Sequence, residues 1–125
     1  MLVRAGADPN ARDEVGRTPL HAASRINNPY LIRVLLDAGA DPNARSWWCG
    51  TPLHEAASRD QSKVVRLLLD AGADVSVRDR HGETPLDAAR KHGSEKVVAL
   101  LEAHLRALLR EAQQSEFDAL MEMSR

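Results

Sequence analysis

Histidine and cysteine are the first side chains in this sequence to consider for chemistry. His21 and His54 each close a Thr-Pro-Leu-His phrase, but neither has a cysteine or a second histidine at the spacing of metal ligands. Cys49, the single cysteine, has no adjacent histidine or cationic pair to activate its thiol, so we expect it to be inert rather than redox-sensitive. The sequence contains no glycine-rich phosphate loop, no recognisable nucleophile–base motif and no cluster of metal ligands. We therefore expect no enzyme activity, no cofactor and no metal.

The two tryptophans point to binding instead. Trp47 and Trp48 are adjacent, in the short run Arg45-Ser46-Trp47-Trp48-Cys49-Gly50. Tryptophan is among the residues most enriched at the energetic centres of protein interfaces. Two neighbouring indoles on a short loop are hard to bury together, so we favour partner binding. The alternative is that one indole folds onto a neighbouring loop and only covers the surface.

Arginines recur at a fixed interval. Arg12, Arg45 and Arg78 stand 33 residues apart, so in a repeating structure they should stack along one edge. Arginine suits bidentate contact with carboxylates and stacking on indoles, which predicts an acidic protein or peptide as the partner. The alternative is that Arg12 and Arg78 pair with local acids such as Asp13 and Asp79, which would contribute little. Neighbouring positions add further candidate binding residues: Arg17, Arg25, Arg59, Arg80 and His81.

Composition limits the class of protein. The chain has 125 residues, a net charge of -1, 43% hydrophobic residues and only 3% aromatics, so its core must be built from leucine, valine, isoleucine and alanine. Such a net charge does not favour nucleic acid or an anionic membrane. No apolar run is long enough to cross a membrane, and a single cysteine fits a reducing compartment. We expect a cytoplasmic or other intracellular location, the nucleus included.

Two phrases organise the whole chain with one period. Thr-Pro-Leu begins at Thr18, Thr51 and Thr84, and Gly-Ala-Asp keeps the same 33-residue step along the sequence. The chain resembles the ankyrin-repeat family, which has this period and the signature T-P-L-H-x-A. The resemblance covers about residues 1 to 104 and is specific for fold, but ankyrin repeats are scaffolds for many unrelated partners.

The resemblance implies an all-α ankyrin-repeat solenoid of helix-turn-helix pairs with β-hairpin-like fingers. In the family, the histidine of the phrase makes structural hydrogen bonds between repeats, and fingers and first helices line a concave groove. The three fingers here are residues 12–17, 45–50 and 78–83. The expected units are the end of a truncated repeat at 1–10, repeats at 11–42, 43–75 and 76–104, and a helical extension and tail at 105–125. The expected helices are 18–26 and 29–38, 51–59 and 62–71, and 84–92 and 95–113.

Local signals support these boundaries. A threonine cap followed by proline opens each first helix, as at Thr51 and Pro52. Asn27, Asp60 and Gly93 stand where each first helix must stop, and all three residue types favour or tolerate left-handed backbone. In the last unit aspartate replaces histidine, and Thr84 with Asp87 resembles a capping box. In the second finger, cysteine occupies the glycine position and glycine follows one place later, so that turn should be shifted.

The C-terminal part departs from the repeat pattern. Leu105 stands where Gly72 ends the previous unit, so the last helix should continue to about Gln113. Ser115 and Asp118 resemble a capping box for a short new helix. We expect that short helix to fold back and cover the apolar side of the long one. The residues of this cap or oligomer surface are Leu105, Leu108, Leu109, Phe117, Leu120 and Met121.

We therefore expect a protein–protein interaction module that binds a protein or peptide in its concave groove. Two alternatives stay open. One is a self-assembling scaffold, in which the incomplete first repeat and the C-terminal helix mediate oligomerisation. The other is a regulatory fragment of a larger protein.

Overall fold

Three helix pairs follow one another along the chain in the computed structural model, which describes residues 8–47 and 50–124. The first helices of successive pairs pack side by side, as do the second helices, so the pairs form two layers. Within the described residues no strand is assigned, although each finger closes with a backbone hydrogen bond of 2.8 or 2.9 Å across five residues. The helices are α1 (Pro19–Arg25), α2 (Pro29–Asp37), α3 (Pro52–Ser58), α4 (Ser62–Asp70), α5 (Pro85–Lys91) and α6 (Glu95–Met123).

Each first helix begins with the predicted cap. The hydroxyls of Thr18, Thr51 and Thr84 accept a backbone N–H from the first turn, and a proline follows each threonine at the first helical position. The capping box predicted at Thr84 and Asp87 is confirmed. The two histidines of the other phrases complete a capping box in the same way, which the sequence interpretation did not anticipate.

The turn inside each pair uses the residue that the sequence indicated. Asn27, Asp60 and Gly93 have φ values of 53°, 56° and 68°, all in the left-handed region. The Asp60 carboxylate also accepts the backbone N–H of Val97 at 3.0 Å, which ties the start of α6 to the preceding repeat. Here one residue both reverses the chain and joins two units.

The core lies between the two helix layers, and within the described residues none of its fully buried members is phenylalanine, tyrosine or tryptophan. Alanines on the first helices allow the second helices to approach closely, and branched side chains from the second helices fill the space between. Each fully buried leucine or valine contributes roughly 1.5–3 kcal/mol. The largest apolar side chains with no exposed surface are Leu20, Ile32, Leu35, Leu53, Val64, Val65, Leu68, Val97 and Leu101.

The predicted fold-back of the C-terminal tail is wrong. α6 is one helix from Glu95 to Met123, without a break near Gln114. No glycine or proline follows Gly93 to stop it. Asp118 sits inside the helix and accepts a hydrogen bond from the Gln114 side chain at 2.9 Å, one turn earlier, so it does not take part in a cap. Leu109, Phe117, Leu120 and Met121 are consequently 52–62% exposed.

Candidate functional site

The histidines of the repeated phrase join neighbouring repeats. Nδ1 of His54 accepts the backbone N–H of Thr51 at 3.1 Å, so Nε2 carries the proton and donates to the carbonyl of Glu83 at 2.9 Å. His21 repeats this arrangement with Thr18 and the carbonyl of Gly50. This agrees with the structural role that the family resemblance implied, and it leaves neither histidine available as a catalyst or metal ligand.

Burial lowers the pKa of both histidines below its ordinary value, because an imidazolium would lose hydration inside the repeat stack. The hydrogen bond from Nε2 to the carbonyl of Gly50 or Glu83 opposes this by raising the pKa. Both rings are therefore held in the neutral form that the two hydrogen bonds require.

Arg12, Arg45 and Arg78 form the predicted row, but their guanidinium groups bind the protein's own backbone. Arg12 donates to the carbonyl of Gly16 at 2.9 Å and to that of Arg45, in the next finger, at 2.6 Å. Arg45 donates in turn to the carbonyl of Arg78, and Arg78 donates to that of Gly82 at 2.8 Å. The bonds observed for Arg12 and Arg78 therefore run to carbonyl oxygens, whereas the alternative interpretation assigned them to local acids. The row holds successive fingers in register.

A second set of bonds between repeats escaped the sequence analysis. The side chain of Asn10 donates to the carbonyl of Gly39 at 3.1 Å and accepts the N–H of Asp41 at 2.6 Å. Asn43 makes the equivalent bonds, at 3.2 and 2.7 Å, to the next repeat. The available signal was the recurrence of Pro-Asn-Ala-Arg at the 33-residue period, at residues 9–12 and 42–45.

A groove of about 550 Å³ runs along the first finger and α1. Its charged lining is balanced, with three arginines against three acids. Arg17 pairs with Asp13 at 3.3 Å, and Arg59, outside the lining, pairs with the groove residue Glu55 at 3.5 Å. The third lining arginine, Arg25, is exposed and belongs to none of the ion pairs formed within the described ranges. The apolar lining consists of Pro9, Ala11, Pro19, Ala22 and Ile26.

Trp47 does not line this groove, but it packs on the first finger, which contributes part of the lining. Its backbone N–H donates to the carbonyl of Val15 at 3.0 Å, and its indole lies so close to Gly16 that a Cβ there would be 2.9 Å from Cδ1. Even so, the side chain is 68% exposed. The indole thus rests on the turn whose Asp13 and Arg17 line the groove, with most of its surface free. Trp48 and Cys49 lie outside the described residues.

The second finger shows the predicted shift. Positive φ occurs at Gly50, at +76°, directly before the threonine cap, whereas the first finger has it one place earlier, at Gly16. The closing bond is kept, because Ser46 N–H donates to the carbonyl of Gly50 at 2.8 Å. A Cβ at residue 50 would lie 2.7 Å from Nδ1 of His54, so only glycine fits beside the ring.

Arg80 and His81 on the third finger are exposed. His81 lines a smaller hollow of about 280 Å³ with His54, Glu83 and residues of α5. Over residues 8–47 and 50–124, no three histidine, aspartate or glutamate side chains are grouped so as to hold a metal ion.

Comparison with known proteins establishes the family. A family model described as ankyrin repeats (3 copies) matches residues 1–79 and, in a second match, residues 48–112. The chain therefore belongs to the ankyrin-repeat family, whose members generally mediate protein–protein interaction. Among the curated proteins, a 38-residue stretch is 55% identical to E3 ubiquitin-protein ligase KEG of Arabidopsis thaliana, covering 30% of this chain. This chain spans only 2% of the length of that ligase, so the likeness concerns the repeat alone.

None of the helices in the described part of the chain combines the length and the apolar character needed to span a membrane.

Proposed function

We propose that the groove along the first finger and α1 binds an extended segment of a partner protein, with Trp47 as its principal contact. The observation that carries this proposal is the state of the Trp47 side chain. It is 68% exposed, yet its backbone is fixed to Val15 and its ring rests on Gly16. An aromatic ring already held in place loses little conformational entropy on binding, which is the property of an interface anchor.

The lining of the groove supplies further contacts in addition to this anchor. Ile26, at the end of α1, is 65% exposed, and Arg25 beside it is exposed as well. An apolar side chain of the partner can cover Ile26 while a carboxylate meets the guanidinium of Arg25 in a bidentate contact. The preferred ligand is therefore a segment that combines apolar or aromatic groups with at least one acidic residue.

The contribution of the arginines is narrower than the sequence suggested. Arg12, Arg45 and Arg78 bind backbone carbonyls, and Arg17 and Arg59 have acidic partners, so the proposal assigns these five to support of the fingers and α3. In the proposal, Arg25 and the exposed third-finger residues Arg80 and His81 receive acidic groups. Trp48 remains a predicted second anchor.

Selection from a displayed library of random peptides, followed by calorimetric titration of the selected peptides, tests the proposal. Trp47→Ala should weaken binding by about 2 kcal/mol or more, which is roughly thirtyfold in Kd. Tyr30→Ala is the matched control, because Tyr30 is 77% exposed on α2, which contributes no residue to the groove lining, whereas Trp47 packs on the first finger. Equal affinity of Trp47→Ala and wild type, with both folded by circular dichroism, would move the site elsewhere.

Arg25→Ala separates the electrostatic part of the proposal from the aromatic part. Removing the guanidinium should weaken an acidic peptide and also reduce the dependence of its affinity on salt, because exposed charge pairs are screened. A peptide whose carboxylates are replaced by amides should bind Arg25→Ala and wild type with equal affinity. If the wild-type affinity does not depend on salt, arginine has no part in recognition.

A further inference from the structure

The exposed end of α6 carries six of the nine large apolar side chains that are exposed within the described residues. α4 ends at Asp70, and α6 continues well past the equivalent position, so residues 105–123 extend about 28 Å along the helix axis. Leu109 and Leu120 are each 62% exposed, and Met123 is 81% exposed. An uncovered apolar surface of this extent usually marks a site of association.

Several apolar residues of this segment form a seam along one face of the helix. With about 3.6 residues per turn, positions 105, 109, 112, 116, 119 and 123 recur at alternating intervals of about four and three and share a face. That face carries Leu105, Leu109, Ala112, Ala119 and Met123, interrupted by Glu116. Leu108 and Leu120 border it, whereas Phe117 and Met121 point away from it. This is the spacing of helices that pair by interlocking side chains.

The order of residues along the seam shows which partner fits it. When two copies of the segment run antiparallel about Gln114, Leu109 meets Ala119 of the other copy, Ala112 meets Glu116, and Leu105 meets Met123. Leu109 then faces Ala119 in two layers of the pair, once from each copy. Alanine lets the helices approach closely, and the leucine fills the space between them. In a parallel pair, alanine would face alanine and Glu116 would face Glu116, leaving voids and opposing like charges.

The charges along the helix favour the same orientation. The half nearer the repeats carries Arg106, Arg110 and Glu111, two positive charges and one negative, and the distal half carries only the acidic residues Glu116, Asp118 and Glu122. An antiparallel pair places the basic half of one copy beside the acidic half of the other, and it also opposes the two helix dipoles. A parallel pair would set the two acidic halves side by side.

We infer that residues 105–123 of α6 pair with the same segment of a second copy of the chain, antiparallel and with a two-fold axis near Gln114. Each contact then occurs twice, as in a closed symmetric dimer. Glu116, the one charged residue on the seam, weakens the pair but fixes its register, since a slip would place it against a leucine. No residue of α6 lines the groove, so this surface is independent of the proposed function.

Sedimentation equilibrium of the full chain between about 1 µM and 0.5 mM tests the inference, and wild type should form a concentration-dependent dimer. Leu109→Ala leaves two alanines facing each other, and Ala119→Leu brings two leucines into one layer. Each single change should raise the dimer dissociation constant at least about tenfold. The double variant Leu109→Ala with Ala119→Leu exchanges large and small residues and should restore the dimer.

Met121→Ala is the control, because Met121 is 52% exposed but lies off the seam, and it should leave the dissociation constant unchanged. Circular dichroism of each variant checks that the helix is intact. A wild-type chain that stays monomeric over the whole range would overturn the inference. A dimer that the single changes do not weaken, or that the double variant does not restore, would overturn the antiparallel register.

Discussion

The indole of Trp47 rests directly on the backbone of Gly16, in the preceding finger. A Cβ at residue 16 would be 2.9 Å from Cδ1 and 3.0 Å from Nε1 of the ring. Glycine is therefore needed at position 16 for two reasons. It adopts the φ of +77° that the turn needs, and it leaves the space that the ring occupies. The proposed anchor is positioned by a residue that makes no contact with the groove itself.

Comparing alanine at two equivalent glycines isolates this contact. Gly82 occupies the same place in the third finger with φ +76°, but a Cβ there meets nothing within 4 Å. Backbone strain should lower the free energy of unfolding of both Gly16→Ala and Gly82→Ala by about 1–3 kcal/mol. The loss should be about 1 kcal/mol larger in Gly16→Ala, because the indole of Trp47 must move away from the new methyl group.

Urea denaturation gives the two free energies of unfolding, and tryptophan emission in a Trp48→Phe background reports the position of Trp47. Emission should change in Gly16→Ala only. Equal destabilisation of the two variants with the same emission spectrum would mean that the contact between Trp47 and Gly16 contributes nothing.

His54→Asp tests the bond between repeats separately from the cap. Asp87 shows that aspartate completes the capping box, since its carboxylate accepts the N–H of Thr84 at 3.0 Å. An ionised aspartate at position 54 would keep that box but could not donate to the carbonyl of Glu83. We expect His54→Asp to lower the free energy of unfolding by about 1–2 kcal/mol, and His54→Ala to lower it further because the cap is lost too. Thermal or urea unfolding measures both, and equal losses would show that the bond to Glu83 has no separate effect.

Stability should fall on mild acidification because of the buried histidines. The unfolded chain binds protons near the ordinary histidine pKa of 6.5, whereas the folded chain binds them only at a lower pH. Below about pH 6.5 the unfolded state therefore carries more protons, and the free energy of unfolding decreases until the folded-state pKa is passed.

Unfolding experiments at a series of pH values check this effect, with His54→Asp as the comparison. That variant should show a shallower decrease just below pH 6.5. Hydrogen bonds also lower the pKa of three aspartates. The first cause is a bond from Arg17 for Asp13, from Ser76 for Asp74 and from Thr84 for Asp87. The stability these carboxylates contribute is present above their ordinary pKa of 3.8 and is lost as the pH falls further, so it does not explain a change near pH 6. A wild-type profile that is flat from pH 7 to about pH 5 would contradict the account.

The repeats could be predicted closely because their signals are local. A threonine before proline opens a helix whatever surrounds it, and Asn27, Asp60 and Gly93 each adopt left-handed backbone, for which their residue types are suited. The predicted helix bounds before α6 consequently differ from the observed ones by one residue at each affected end. The family was evident for the same reason, since two phrases keep one period.

Side-chain direction and the choice between competing signals could not be predicted in this way. Spacing placed Arg12, Arg45 and Arg78 in a row, but it does not predict that each guanidinium turns toward a carbonyl. Ser115 and Asp118 have the spacing of a capping box, yet an unbroken helix without glycine or proline satisfies the same backbone groups through its own hydrogen bonds. The predicted capping box therefore did not form, because the helix continues through it, and the fold-back prediction that depended on it is wrong.

Amide NMR spectra of the isotope-labelled chain, recorded with and without a saturating selected peptide, test the central claim most directly. If the groove along the first finger and α1 is the binding site, the largest shifts will fall on residues 11–26 and on the indole N–H of Trp47, identified by its loss in Trp47→Phe. The outer face of α2 and the distal half of α6 should not change. Shifts concentrated on α2, α4 or α6, with the Trp47 indole unaffected, would contradict the account.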